Sequence, residues 1–194
     1  MPRITRDSLL SLEQYHRERN EIRAQAIECK NQRRVYLGDH VTLAFENEVT
    51  LRYQIQEMLR IEKTFDDEGI DDELEAYNPL IPDGTNWKAT MMIEYVDPDE
   101  RAERLVELKG IEDRLYVQVS GCDRVYAIAD EDLERANDTK TSAVHFVRFE
   151  LPRASIDAVK AGQSIAMGID HAGYSVRVDE ISPETQGSLS QDLT

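Results

Sequence analysis

Glu57 and Arg60 stand three residues apart in the run Phe45–Arg60, where Gln54 and Gln56 lie close by. A glutamate placed three residues before an arginine on one helix forms an ion pair. If the helix is enclosed, that pair is costly to break. The same groups can do chemistry: Gln54, Glu57 and Arg60 suit an anionic ligand, and Glu57 suits a metal ligand or a general base. His145 alternates with Ala143, Val147, Phe149 and Leu151 and therefore shares their apolar face. A lone histidine there is more often a hydrogen-bonded core residue than a ligand. It gains chemical meaning only if Glu57, Glu94 or His171 approaches it, since a His/Glu cluster can hold a divalent metal. Glu94 interrupts an otherwise apolar strand, and Asp170-His171 sits at a hairpin turn where Asp and Gly are ordinary turn residues. None of these spacings is an established metal motif.

Other candidates are weaker. The run Asp66–Glu73 is acidic enough to suggest calcium. With Gly69 at the sixth loop position, however, the first ligand would be Thr64 and the apolar eighth position would be Asp71, which does not fit an EF-hand. Cys29 and Cys122 form neither a CxxC pair nor a disulfide framework. Cys29 lies on a helical stripe and is expected buried and inert; Cys122 follows Gly121 in a turn and is expected accessible. No GxGxxG, P-loop, GxSxG or HExxH run occurs. This disfavours nucleotide-dependent and standard hydrolytic enzymes and predicts no cofactor.

The elements that must position these groups follow from patterning. Ser11 and Gln14 match a helix-capping box, and Leu12, Tyr15, Arg19, Ile22, Ala26 and Cys29 make one stripe broken by Arg19. This predicts a helix over Ser11–Arg33 that docks on its own sheet, on a partner chain or on a second copy. Val35–Glu46 reads as strand interrupted at Gly38-Asp39, with Val41, Leu43 and Phe45 on its buried face. Asn47 caps a helix running to about Phe65, with apolar residues on more than one side. Residues 66–87 are irregular but for a helical turn at Asp72–Tyr77. Lys88–Val96 is an interior strand, and Asp97-Pro98-Asp99-Glu100 opens a helix that Gly110 ends. Leu115–Val119 and Cys122–Ala129 flank a turn, Ser142–Leu151 is a strand, Ala154–Ala161 a short helix, and Ser164–Ile169 and Ser175–Ile181 a hairpin with a five-residue loop. Ser182-Pro183-Glu184 starts a weak last helix with a loose tail. The order predicts an α+β fold with a mainly antiparallel sheet and helices packed on one side, in one domain over 1–194.

Bulk properties narrow the partners. The 194 residues carry a net charge of −16. Residues 1–40 contribute eight Lys/Arg and six Asp/Glu, a net of +2, so the rest carries −18. Phe65–Asp83 holds eight acidic residues and no Lys or Arg, which suits either a solvated surface or a docking patch for a basic partner. Nucleic acid and anionic membranes are poor partners for such a chain. No signal peptide is visible, no stretch approaches the ~20 apolar residues of a membrane span, and the two distant cysteines suit a reducing compartment. A cytoplasmic location is the expectation.

Several ordered blocks carry a resemblance: Ile4-Thr5-Arg6 with Leu9–Glu13, Phe45-Glu46-Asn47 with Tyr53–Met58, Tyr77–Pro82, Met92–Tyr95, His145–Phe149, and Gly168–His171. Through them nearly the whole chain resembles the uncharacterised bacterial family called domain of unknown function 3501. The resemblance implies no known activity and no catalytic residues. It implies a genetic setting beside a rubrerythrin and an iron–sulfur oxidoreductase related to heterodisulfide reductase. Two readings of function follow. One is a non-enzymatic accessory protein of that redox pair. The other is a small metal-dependent enzyme or ligand-binding protein with a site between the 48–65 helix and the sheet, using Glu57, Arg60, Glu94 and His145.

Overall fold

Local signals set most of the elements in the computed structural model, which describes residues 3–133, 135–137 and 139–194. The helices are α1 (Leu12–Gln32), α2 (Glu48–Glu62), α3 (Asp67–Tyr77), α4 (Pro98–Glu107), α5 (Arg153–Lys160) and α6 (Pro183–Ser190). The strands are β1 (Arg34–Leu37), β2 (Val41–Phe45), β3 (Asn86–Ile93), β4 (Leu115–Val119), β5 (Arg124–Tyr126), β6 (Ile128–Ala129), β7 (Val144–Glu150), β8 (Ile165–His171) and β9 (Tyr174–Val178). The caps are those that the side chains predict. Ser11 accepts from the Gln14 amide, Asn47 from that of Thr50, and Asp97 from those of Asp99 and Glu100.

The fold is α+β and every strand pairing is antiparallel, as expected, with the strands divided between two sheets. The orders are β1-β2-β3-β7-β6 and β5-β4-β8-β9. The chain crosses between the sheets three times, and one crossing lies at Ala127. Sequence reading takes Cys122–Ala129 as one strand. Instead, β5 pairs with β4, the chain turns a corner at the buried Ala127, and β6 pairs with β7 of the other sheet. The inner faces then meet, with Leu43, Phe45, Trp87, Met91 and Phe149 of one sheet in the same core as Leu115, Val117, Ile165 and Met167 of the other.

Three boundaries differ from expectation. The helix from Asn47 stops at Glu62, where Lys63 turns left-handed at φ 57°, and the acidic run makes a helix of its own. Asp66 caps it through the Gly69 amide, and Asp67 and Glu68 face its positive N-terminus. In the second hairpin, Asp170 and His171 continue the ladder opposite Ser175 and Tyr174, so the turn holds two residues and not five. The tail is not loose: Leu193 is buried, and the Thr194 amide donates to the Gly84 carbonyl.

α1 docks on α2, not on a sheet. Arg19, which seemed to break its apolar stripe, is there to meet Glu57 across that contact. α2 and α3 enclose a second apolar cluster with Ile4, Leu51, Ile55, Leu59, Leu74 and Ile81. Gln56 ties the N-terminal segment to it by exchanging hydrogen bonds with the Leu10 backbone.

One buried side chain joins the pieces. Arg33, 1% exposed at the end of α1, donates to the carbonyls of Phe45 (3.1 Å), Glu46 (3.0 Å) and Ser188 (3.2 Å) and to the Ser188 hydroxyl (3.0 Å). It also pairs with Asp192, whose carboxyl is pushed up by burial and only partly held down by that arginine. Removing one member of such a pair strands the other charge. Arg33→Met is therefore expected to lower unfolding free energy by about 3–5 kcal/mol, read from urea denaturation. A loss within the noise of a surface substitution would contradict the anchoring role.

Candidate functional site

Strand alternation places one side of the five-stranded sheet in the core and turns the other toward α2 and α3. On that outer side the register aligns Arg34, Ala44, Thr90 and Phe146 in a single cross-strand row. Ala44 and Thr90 are short, so a trough runs between the arginine and the aromatic ring. Leu51 and Gln54 of α2, Tyr77 at the end of α3 and Leu80 complete a cavity of about 310 Å³ over it. A second lobe of about 340 Å³ adjoins it, sharing Glu46, Leu80 and Phe146 and adding Lys88, Val147 and Arg148. Both volumes lie at the low end for small-molecule sites.

The charges in the cleft are unequal in commitment. Lys88 gives its ammonium to the carbonyls of Pro79 (2.7 Å) and Ile81 (2.9 Å), fixing the roof, and burial lowers its pKa. Arg148 is taken by Glu131 and Glu150. Lys30 lies 5.7 Å from the centre of the Tyr53 ring. The Arg34 side chain has no hydrogen bond or ion pair among the described residues, and its Nε is buried. Glu46 accepts from the hydroxyls of Thr90 (3.0 Å) and Thr50 (2.6 Å) and has no ion pair among the described residues. An unpaired guanidinium N–H turned away from water is costly unless something meets it. The arrangement can hold an anion at Arg34 and an apolar body along Met92, Leu80 and Phe146.

The residues singled out from sequence do not converge. Gln54 lines the cleft, whereas Glu57 and Arg60 belong to the α1–α2 contact. Glu57 is buried and accepts from Tyr15 Oη (2.6 Å), Arg19 Nε and Nη2 (2.7 and 2.9 Å) and Arg60 (3.2 Å). Its oxygens are saturated, so a role as base or metal ligand is replaced by a structural one. Glu94 is exposed and accepts from Thr42. His145 is wholly buried among residues that sequence reading did not flag. Its Nδ1 lies 2.6 Å from Asp130 and its Nε2 2.9 Å from Thr141, which donates to Glu112 at 2.9 Å. Asp170 accepts from Tyr126 and Arg124 on the second sheet, and His171 contacts the Lys109 carbonyl. No group of three His, Cys, Asp or Glu able to hold a metal exists among the described residues. Cys29 is only partly buried and takes a contact from Asn47 at 3.4 Å; Cys122 is partly buried against the core.

Arg34 was missed because its neighbour Arg33 looks the same. The available signal was alternation: Arg34 and Tyr36 take the positions opposite to Val35 and Leu37. The acidic run also proves less open than its composition suggests, because Arg6 of the same chain bridges Asp67 and Asp71.

The fold and cleft define a two-sheet α+β protein with a roofed trough on one sheet. The chain belongs to the family described as "Protein of unknown function (DUF3501)", which matches residues 3–193. A crystal structure of a novel protein of unknown function from Burkholderia pseudomallei K96243 is similar over 100% of both chains, with 50% sequence identity and a TM-score of 0.94. No curated protein matches the chain. No helix among the described residues is long and apolar enough to cross a membrane.

The Glu57 knot gives a pH dependence. Its carboxyl is held down at about 2, first by Arg19 and against burial, then by Tyr15 and Arg60, while burial and Glu57 push the Tyr15 hydroxyl up. A depressed acid stabilises the fold above its unfolded pKa of 4.5 and loses that contribution as pH falls toward 2. Glu57→Gln is expected to flatten the stability profile between those limits and to lower stability at neutral pH, measured by urea midpoints across pH. An unchanged slope would refute the assignment.

Proposed function

We propose that the protein binds a small organic anion in the cleft between α2 and the outer face of the five-stranded sheet. The observation that carries this is Arg34, a guanidinium unpaired among the described residues, with a buried Nε facing a cavity, in a chain with a net charge of −16. Acidic residues abound, yet none of the described ones closes on it. The rest of the cleft suits an apolar body. 3-Phenylpropionate serves as probe, titrated calorimetrically. Saturable binding is expected, weakened about tenfold or more in Arg34→Met, since a charge-assisted hydrogen bond contributes about 1.5–3 kcal/mol. Equal affinity in the variant, or no binding at millimolar probe, would end this reading.

A second reading concerns partners. The excess of negative charge supports an accessory role in which the acidic surface meets a basic partner, and the family's setting suggests the iron–sulfur oxidoreductase and rubrerythrin. Such a complex is expected to weaken steeply with salt. Tagged protein from native expression should bring down one of the two redox proteins at low ionic strength. Recovery of neither, in air or under peroxide, would count against it.

A further inference from the structure

The anion head is half of what the cleft asks for. Glu46 lies two residues beyond Ala44, and its amide continues the ladder by donating to the Lys88 carbonyl at 2.8 Å. Its side chain therefore sits on the same side of the sheet as Ala44, which stands directly opposite Arg34. This makes Arg34 and Glu46 diagonal neighbours, about 7–8 Å apart at the backbone. Both line one cavity, and no ion pair joins them. A guanidinium and a carboxylate held side by side without meeting form a receptor for a ligand that carries the opposite pair of charges.

The carboxylate has the capacity. Thr50 and Thr90 satisfy one lone pair on each of its oxygens, which holds the group still. A carboxylate offers about four acceptor sites, so two remain. They suit an ammonium donor. Beyond Glu46 the two lobes share Leu80 and Phe146 as an apolar wall, and the charged Lys88, Glu131, Asp132 and Arg148 of the second lobe are engaged with partners of their own.

We infer that the ligand is a zwitterion of the α-amino-acid class with an apolar side chain. Its carboxylate meets Arg34, its ammonium meets Glu46, and its side chain lies against Leu80 and Phe146. This deepens, and rests on, the reading of the cleft as a binding site. A simple carboxylate would leave Glu46 facing an apolar body with its remaining sites unmet, which costs affinity.

The test compares three ligands on the native protein by calorimetry: L-phenylalanine, 3-phenylpropionate, which lacks the ammonium, and phenethylamine, which lacks the carboxylate. Phenylalanine should bind at least about tenfold tighter than either analogue. In Glu46→Gln the advantage of phenylalanine over 3-phenylpropionate should vanish. Should that variant misfold, the three-ligand comparison still decides. If 3-phenylpropionate binds as tightly as phenylalanine, the zwitterion is overturned and the anion site survives. If none of the three binds, both fall together.

Discussion

The buried guanidinium of Arg33 is the constraint on which the arrangement of this molecule rests. It leaves α1 and enters the protein at the junction of β2 with α2, where it satisfies the Phe45 and Glu46 carbonyls. There it also fastens the C-terminal segment through Ser188 and Asp192. A charge in that position is tolerated only with nearly every donor engaged, so the geometry leaves little freedom. Because Arg33 is fixed, Arg34 begins β1 in a set direction and Glu46 leaves β2 in another. The two ends of the cleft are thus consequences of one saturated cation.

A second knot acts on the roof. Glu57 draws Tyr15, Arg19 and Arg60 together and binds α1 to α2. Gln54 and Leu51, about one and two turns before Glu57 on α2, line the trough. The polar groups of this helix thus divide between adjoining faces: Glu57 and Arg60 close the helix pair, and Gln54 lines a cavity. Enclosure of the helix was legible from its apolar coverage. The division was not, because Arg19 lies 38 residues away and pairs across space.

The buried His145 shows why candidate residues scattered. Its apolar neighbours in alternate positions placed it in the core. Its partners Asp130, Thr141 and Glu112 come from a left-handed turn, a loop and a short helical turn, none of which periodicity resolves. Glu94 follows β3 of one sheet and His171 ends β8 of the other, and the crossings that part them carry no composition signal.

Sequence by itself determined the α+β class, the capped helix starts, the alternating strands, the acidic surface and the family, because each depends on contacts between near neighbours or on composition. Tertiary structure decided the rest. Arg33 and Arg34 are adjacent and chemically identical; one is sealed and fully bonded, the other stands over a cavity with no side-chain partner among the described residues. What separates them is the strand's two-residue alternation combined with what each face meets, a packed core in one case and a roofed trough in the other. Those surroundings are assembled by other segments, 12 to 159 positions away for the partners of the Arg33 side chain, and no local pattern records them.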